Sequence, residues 1–135
     1  MLISSIFESK ANKQVRRFLI HCATETSIDI NTAQFVLNLI AGKIAISLYA
    51  GNGFIATIPI KNVCEFFGSA YDENNSYLLY GYFVRLSIEN SMELADINIR
   101  ICENQDKMGA HLYAKKAYIK SLPTLEILNH FISDK

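Results

Sequence analysis

The chain has 135 residues, of which 50% are hydrophobic and 19% charged, with 13 Lys/Arg matched by 13 Asp/Glu. That length suits a single domain, 1–135, with its own core, and the apolar fraction excludes wholesale disorder. Zero net charge removes the global field that would draw the chain to nucleic acid or an anionic membrane, and six Gly with two Pro exclude a fibrous or low-complexity protein.

Ser5 to Thr24 is predicted as an amphipathic helix. Phe7, Ala11, Val15, Phe18, Leu19 and Cys22 share one stripe at helical spacing. Ser5 with Glu8 fits a capping box, in which hydroxyl and carboxylate each satisfy a free backbone donor. Lys10, Lys13, Arg16 and Arg17 lie on the opposite face and read as solvated.

A second helix is predicted over Asn31 to Ala41, capped by Asn31 and stopped by Gly42, with a strand as the competing reading. Lys43–Ala50 and Phe54–Ile60 each alternate apolar and polar around Gly51-Asn52-Gly53, the signal of a hairpin with a tight Asn-Gly turn. Pro59 cannot donate to a ladder and places the second strand at an edge or an end. Asn62 to Phe67 is predicted as one helical turn boxed by Asn62 and Glu65, and Ser69 to Ser76 as a loop.

Tyr77 to Ile88 reads as a strand, with Leu78, Tyr80, Tyr82, Val84, Leu86 and Ile88 on one face. Glu89-Asn90-Ser91 turns the chain into a returning strand, Glu93 to Cys102, with Ile97, Ile99 and Ile101 inward. A loop over Glu103–Gly109 leads to a fifth strand, Ala110–Ile119. Pro123 opens a final helix, Thr124 to Ser133, whose buried stripe is Leu125, Leu128 and Ile132. The fold class expected is α+β: an antiparallel sheet of about five strands, hairpin plus three-stranded meander, covered by two N-terminal helices and one C-terminal helix.

Motifs for chemistry are sparse. Cys22, Cys64 and Cys102 form no disulfide framework and read as small buried thiols in a reducing compartment. Glu8 and Lys10 interrupt the N-terminal apolar stretch too early for a signal peptide, and no apolar run reaches the ~18–20 residues of a membrane span. The expectation is a cytoplasmic protein. There is no C-x-x-C or H-x-x-x-H spacing, so no metal is expected. Gly51-Asn52-Gly53 joins two strands, whereas a phosphate loop needs a helix terminus. Nothing here names a catalytic residue or a cofactor, and the chain is read as no enzyme.

Charge is uneven along the chain. Residues 1–61 carry six Lys/Arg against three Asp/Glu, residues 62–106 two against eight, and residues 107–135 five against two. An acidic segment of that kind can steer a basic partner. Tyr71, Tyr77, Tyr80 and Tyr82 cluster beside it, and Tyr gives large contact area with few torsions to freeze. The function expected is therefore a protein-binding module. Its sharpest form is an inhibitor or immunity protein that occludes the active site of a basic toxin such as a nuclease. Glu89, Glu93, Asp96, Glu103 and Asp106, with Tyr71 and Tyr77, would meet the partner. Neither nucleic acid nor membrane is expected as a partner, and a homodimer is compatible with the sequence.

Two alternatives stand beside it. The order of helix, strand meander and final helix is loosely similar to that of small chaperones of bacterial effector secretion, and the ending Leu122-Pro-Thr-Leu-Glu-Ile-Leu-Asn-His-Phe-Ile carries the local likeness. A ligand-binding or enzymatic α+β domain is the other, since a curved sheet covered by helices can enclose a pocket.

Overall fold

Helix α1 (Leu2–Thr26) buries Ala11, Val15, Phe18, Leu19 and Cys22 on one stripe, as the spacing predicts. The computed structural model describes residues 2–69, 73–104 and 107–131, excepting the side chains of 2–7, 73–75, 104 and 107. Because α1 begins before Ser5, the expected capping box at that position does not start the helix. The Glu8 carboxylate instead accepts bonds from the backbone N–H groups of Thr124 and Leu125, at 2.6 and 3.1 Å.

A meander of β1 (Ala33–Ile40), β2 (Lys43–Ala50) and β3 (Gly53–Ile58) follows. The helix expected over Asn31–Ala41 is thus a strand. Eight residues with Ala33, Phe35, Leu37 and Leu39 alternating against Gln34 and Asn38 suit a strand better than a helix: Phe35 and Leu37 are buried on one face and Val36 on the other. Ala41 and Gly42, at φ 53° and 78°, make a two-residue turn with both centres left-handed, so Gly42 serves a hairpin rather than a helix stop. In the β2–β3 turn the positive φ belongs to Gly51, and Gly53 is already paired in β3. Pro59 ends β3 at the edge of the sheet, as expected.

Helix α2 (Ile60–Phe66) is preceded by Pro59 without a side-chain cap, so the Asn62–Glu65 box is not formed. Helix α3 (Glu73–Glu89) replaces the strand expected over Tyr77–Ile88, and it begins within the expected loop Ser69–Ser76. Its buried residues, Leu79, Tyr82, Phe83 and Leu86, recur at helical spacing. A short 3-10 turn, Leu94–Asp96, then leads into the second meander: β4 (Ile97–Asn104), β5 (Lys107–Ala114) and β6 (Ala117–Leu122). Ile97, Ile99 and Ile101 are buried as expected. The expected loop at 103–109 is mostly strand, and the expected fifth strand is divided by a turn at Lys115-Lys116. Helix α4 (Thr124–Leu128) is shorter than expected; Ile132 and Ser133 lie outside the described residues.

The protein is α+β, with a six-stranded antiparallel sheet in the order β3-β2-β1-β4-β5-β6. The helices do not stand as two N-terminal and one C-terminal: α2 and α3 connect the two meanders. One continuous core joins buried residues of all four helices to Phe35, Leu37, Leu48, Ile99, Ile101 and Leu112. Those strand residues share one face by register, so no described helix covers the other.

Candidate binding surface

The acidic residues picked from the sequence do not gather into one patch. Glu89 ends α3, and Glu93 and Asp96 sit in the connection to β4. Glu103 lies seven residues further, about 23 Å along a strand at ~3.3 Å per residue. Its carboxylate, only 12% exposed, turns to the helical face and pairs with Arg16 at 2.9 Å. Glu89 lies 3.8 Å from Arg85, and Asp96 lies 4.0 Å from Lys115. Among the described residues Glu93 alone of this set has no ion pair. Tyr71 and Asp106 lie outside the described residues. Of the eight acids in residues 62–106, Glu103 and Asp96 thus face cations of the basic flanks, and Glu89 faces Arg85 within the segment itself. The Arg16–Glu103 pair joins α1 to β4 across 87 residues, which adjacency in sequence could not show.

Tyr77 is placed differently. It is 74% exposed on α3, beside Leu78 at 54%, and Ile88 two to three turns on is 72% exposed. On a helix Tyr77 and Ile88 lie on the side opposite Leu79, Tyr82, Phe83 and Leu86, with Leu78 on the flank. Gly81 lies between them, and a Cβ there would meet nothing within 4 Å. A mid-helix glycine costs about 1 kcal/mol relative to alanine, and here no packing neighbour requires it. The result is a stripe of exposed apolar side chains interrupted by Gly81 and by the half-exposed Arg85.

The N-terminal half of the stripe borders a groove of about 810 Å³, walled by Ile44, Ile58, Pro59, Ile60, Tyr77 and Tyr80, with Lys43, Lys61, Thr57 and Ser76 also lining it. Strand β2 and the end of β3 form one wall and α3 the other. At the far end of α3, Arg85 reaches Glu126 at 3.6 Å and stacks over Tyr82. Tyr82 donates to Glu126 at 3.1 Å, and burial together with that carboxylate pushes its hydroxyl well up from the usual tyrosine range. These contacts tie α3 to α4, so the stripe sits on a fixed element.

Comparison with models of known families, with curated proteins and with solved structures gives no match. The reading therefore rests on the residues themselves.

The remaining groups support little chemistry. Among the described residues no three of His, Cys, Asp and Glu stand together as metal ligands, and no helix is long and apolar enough to cross a membrane. Burial pushes the Cys22 thiol up to about 11 and raises Cys64 and Cys102 as well, away from the thiolate a nucleophile needs. Of the exposed residues of α3, Tyr77 and Tyr80 are in the tyrosine cluster that the sequence offers as an interface, whereas Leu78 and Ile88 are hidden by the alternating pattern, which puts them on the same strand face as Tyr82 and Leu86.

Proposed function

We propose that the chain is a small protein-binding module that holds an apolar segment of another polypeptide on α3 and in the adjoining groove. One observation carries the reading: Tyr77, Leu78 and Ile88 stand exposed on a helix whose opposite side is wholly buried. Single exposed apolar residues are ordinary; an exposed aromatic and leucine at the rim of a groove with apolar walls, on a helix that also exposes Ile88, support an interaction site. This is closer to a chaperone-like holder than to an inhibitor of a basic toxin. The inhibitor reading needs a free acidic surface, and three of its five acids already face cations.

The test places a photo-crosslinking amino acid at Leu78 and, separately, at Gln34 on the helix-free face of the sheet, in the cells that make the protein. The expected result is one stoichiometric adduct from Leu78, absent from Gln34 and lost when Ile88→Glu is added. A monodisperse monomer giving no adduct from Leu78 would overturn the proposal. An adduct with a second copy of the chain would replace the client by a homodimer.

A further inference from the structure

We propose that the helix-free face of the sheet carries an oxyanion-binding platform centred on Arg100, for a small ligand that joins a phosphate or carboxylate group to an aromatic body. Five residues from three neighbouring strands form it: Arg100 on β4, His111 and Tyr113 on β5, and Tyr118 and Ser121 on β6. Register places Arg100 opposite His111 and His111 opposite Ser121. All three side chains therefore stand in one row on the side away from the helices.

Arg100 is the argument's centre. Among the described residues it is the half-buried cation left without a carboxylate partner; Arg16, the other half-buried one, has Glu103. Its guanidinium lies 4.5 Å from the centroid of the Tyr113 ring, which orients the group without neutralising it. A partly desolvated guanidinium with unused donors is suited to bidentate recognition of an oxyanion. Acids near it in sequence are turned elsewhere: Glu103 to Arg16, and Asp96 to Lys115.

The flanking groups add neutral hydrogen-bonding capacity and a wall. Tyr118 Oη and Ser121 Oγ are 3.0 Å apart, and Ser121 Oγ is 3.5 Å from His111 Nδ1. The Tyr113 and Tyr118 rings meet edge to face at 5.6 Å, with the His111 ring 6.2 Å from Tyr118. A flat ring can lie against this aromatic corner while its anionic substituent meets Arg100 and the hydroxyls. The platform is on the opposite side of the sheet from the core that seats α3, so it does not depend on the α3 stripe.

The test is an amide-resolved NMR titration of the whole chain with phenyl phosphate, benzoate, inorganic phosphate and, as the uncharged control, phenol. Saturable shifts at residues 100, 111, 113, 118 and 121 with phenyl phosphate or benzoate are expected, and which of the two binds tells phosphate from carboxylate. Inorganic phosphate should bind more weakly than phenyl phosphate. Arg100→Gln should weaken binding by at least about tenfold. Arg100→Lys, which keeps the charge and loses the fork, should fall between, and it serves where the Gln variant does not fold. Leu78→Glu should leave the titration unchanged. No saturable shift with either anion, equal shifts with phenol, or full binding by both Arg100 variants would overturn the proposal.

Discussion

Glu8 and Thr124, 116 residues apart in sequence, are joined by a 2.6 Å hydrogen bond from the Thr124 N–H to the Glu8 carboxylate. The same carboxylate takes the Leu125 N–H. It satisfies two first-turn donors of α4 that Pro123, preceding the helix, cannot cap with a side chain. A hydrogen bond to a charged group contributes about 1.5–3 kcal/mol. Glu8→Ala should therefore lower stability by about 2 kcal/mol, and Glu8→Gln, which keeps an acceptor oxygen, by less. Urea midpoints of the two variants check this; equal, negligible shifts would mean that α4 is held by Ile127, Leu128 and Phe131 alone.

Two backbone positions give stabilising changes. Ala41 takes a left-handed φ of 53° without being glycine, at a cost of about 1 kcal/mol. Ala41→Asn creates an Asn-Gly turn suited to that conformation and should raise stability by about 0.5–1 kcal/mol. Gly81→Ala meets open space and should add about 1 kcal/mol. Thermal melts read both. If Gly81→Ala also weakens client capture, the gap at Gly81 takes part in binding.

Stability should fall on both flanks of neutral pH. Burial holds His111 below its ordinary value of 6.5, and burial, reinforced by Arg85, does the same for His130. The native state then binds fewer protons than the unfolded chain, so stability present above pH 6.5 is lost as pH falls through the lowered native values. On the alkaline side, the Cys22 thiol moves from 9.0 to about 11. Its contribution is complete below pH 9 and is lost as pH rises through 11. Chemical denaturation at intervals across this range checks both limbs, and replacing His111 and His130 by Gln should flatten the acid limb.

The core sets the largest effects. Phe83 and Leu112 are both 0% exposed, one on α3 and the other on β5. Leu112→Ala should cost about 2–5 kcal/mol and Phe83→Ala about 3–5 kcal/mol. Losses below about 1 kcal/mol in equilibrium unfolding would mean that the core relaxes around the gap.

Most of the fold class was legible in the sequence, and the reasons for the misses are local. Tyr77–Ile88 satisfies an alternating pattern and a helical one together. The helical set, Leu79, Tyr82, Phe83 and Leu86, is the buried one, and the alternating set includes the exposed Leu78, Tyr80 and Ile88. Tertiary packing decides between two such patterns, and propensity does not. Ala33–Ile40 alternates only loosely: Gln34 and Asn38 mark the outer face, but Val36 and Ile40 on that same face blur the period. The Lys115-Lys116 turn carries no glycine or proline, since Lys115 itself takes φ 57°. Of the candidate site, Tyr77 was visible as an aromatic beside a loop. The balance of Glu103 by Arg16 depends on a separation of 87 residues that no local pattern encodes.

In the sheet order, β1–β4 is the one neighbouring pair not joined by a hairpin. Each meander can form from contacts close in sequence, but this central seam must close a loop that contains β2, β3, α2 and α3. Loop closure is an entropic cost that falls before the contacts reward it. The seam where Leu37 meets Ile99 is therefore expected to be the slow step of assembly. Substitutions there, and in hairpins already formed when it closes, should slow folding, whereas contacts made only afterwards should act on the rate at which the chain comes apart.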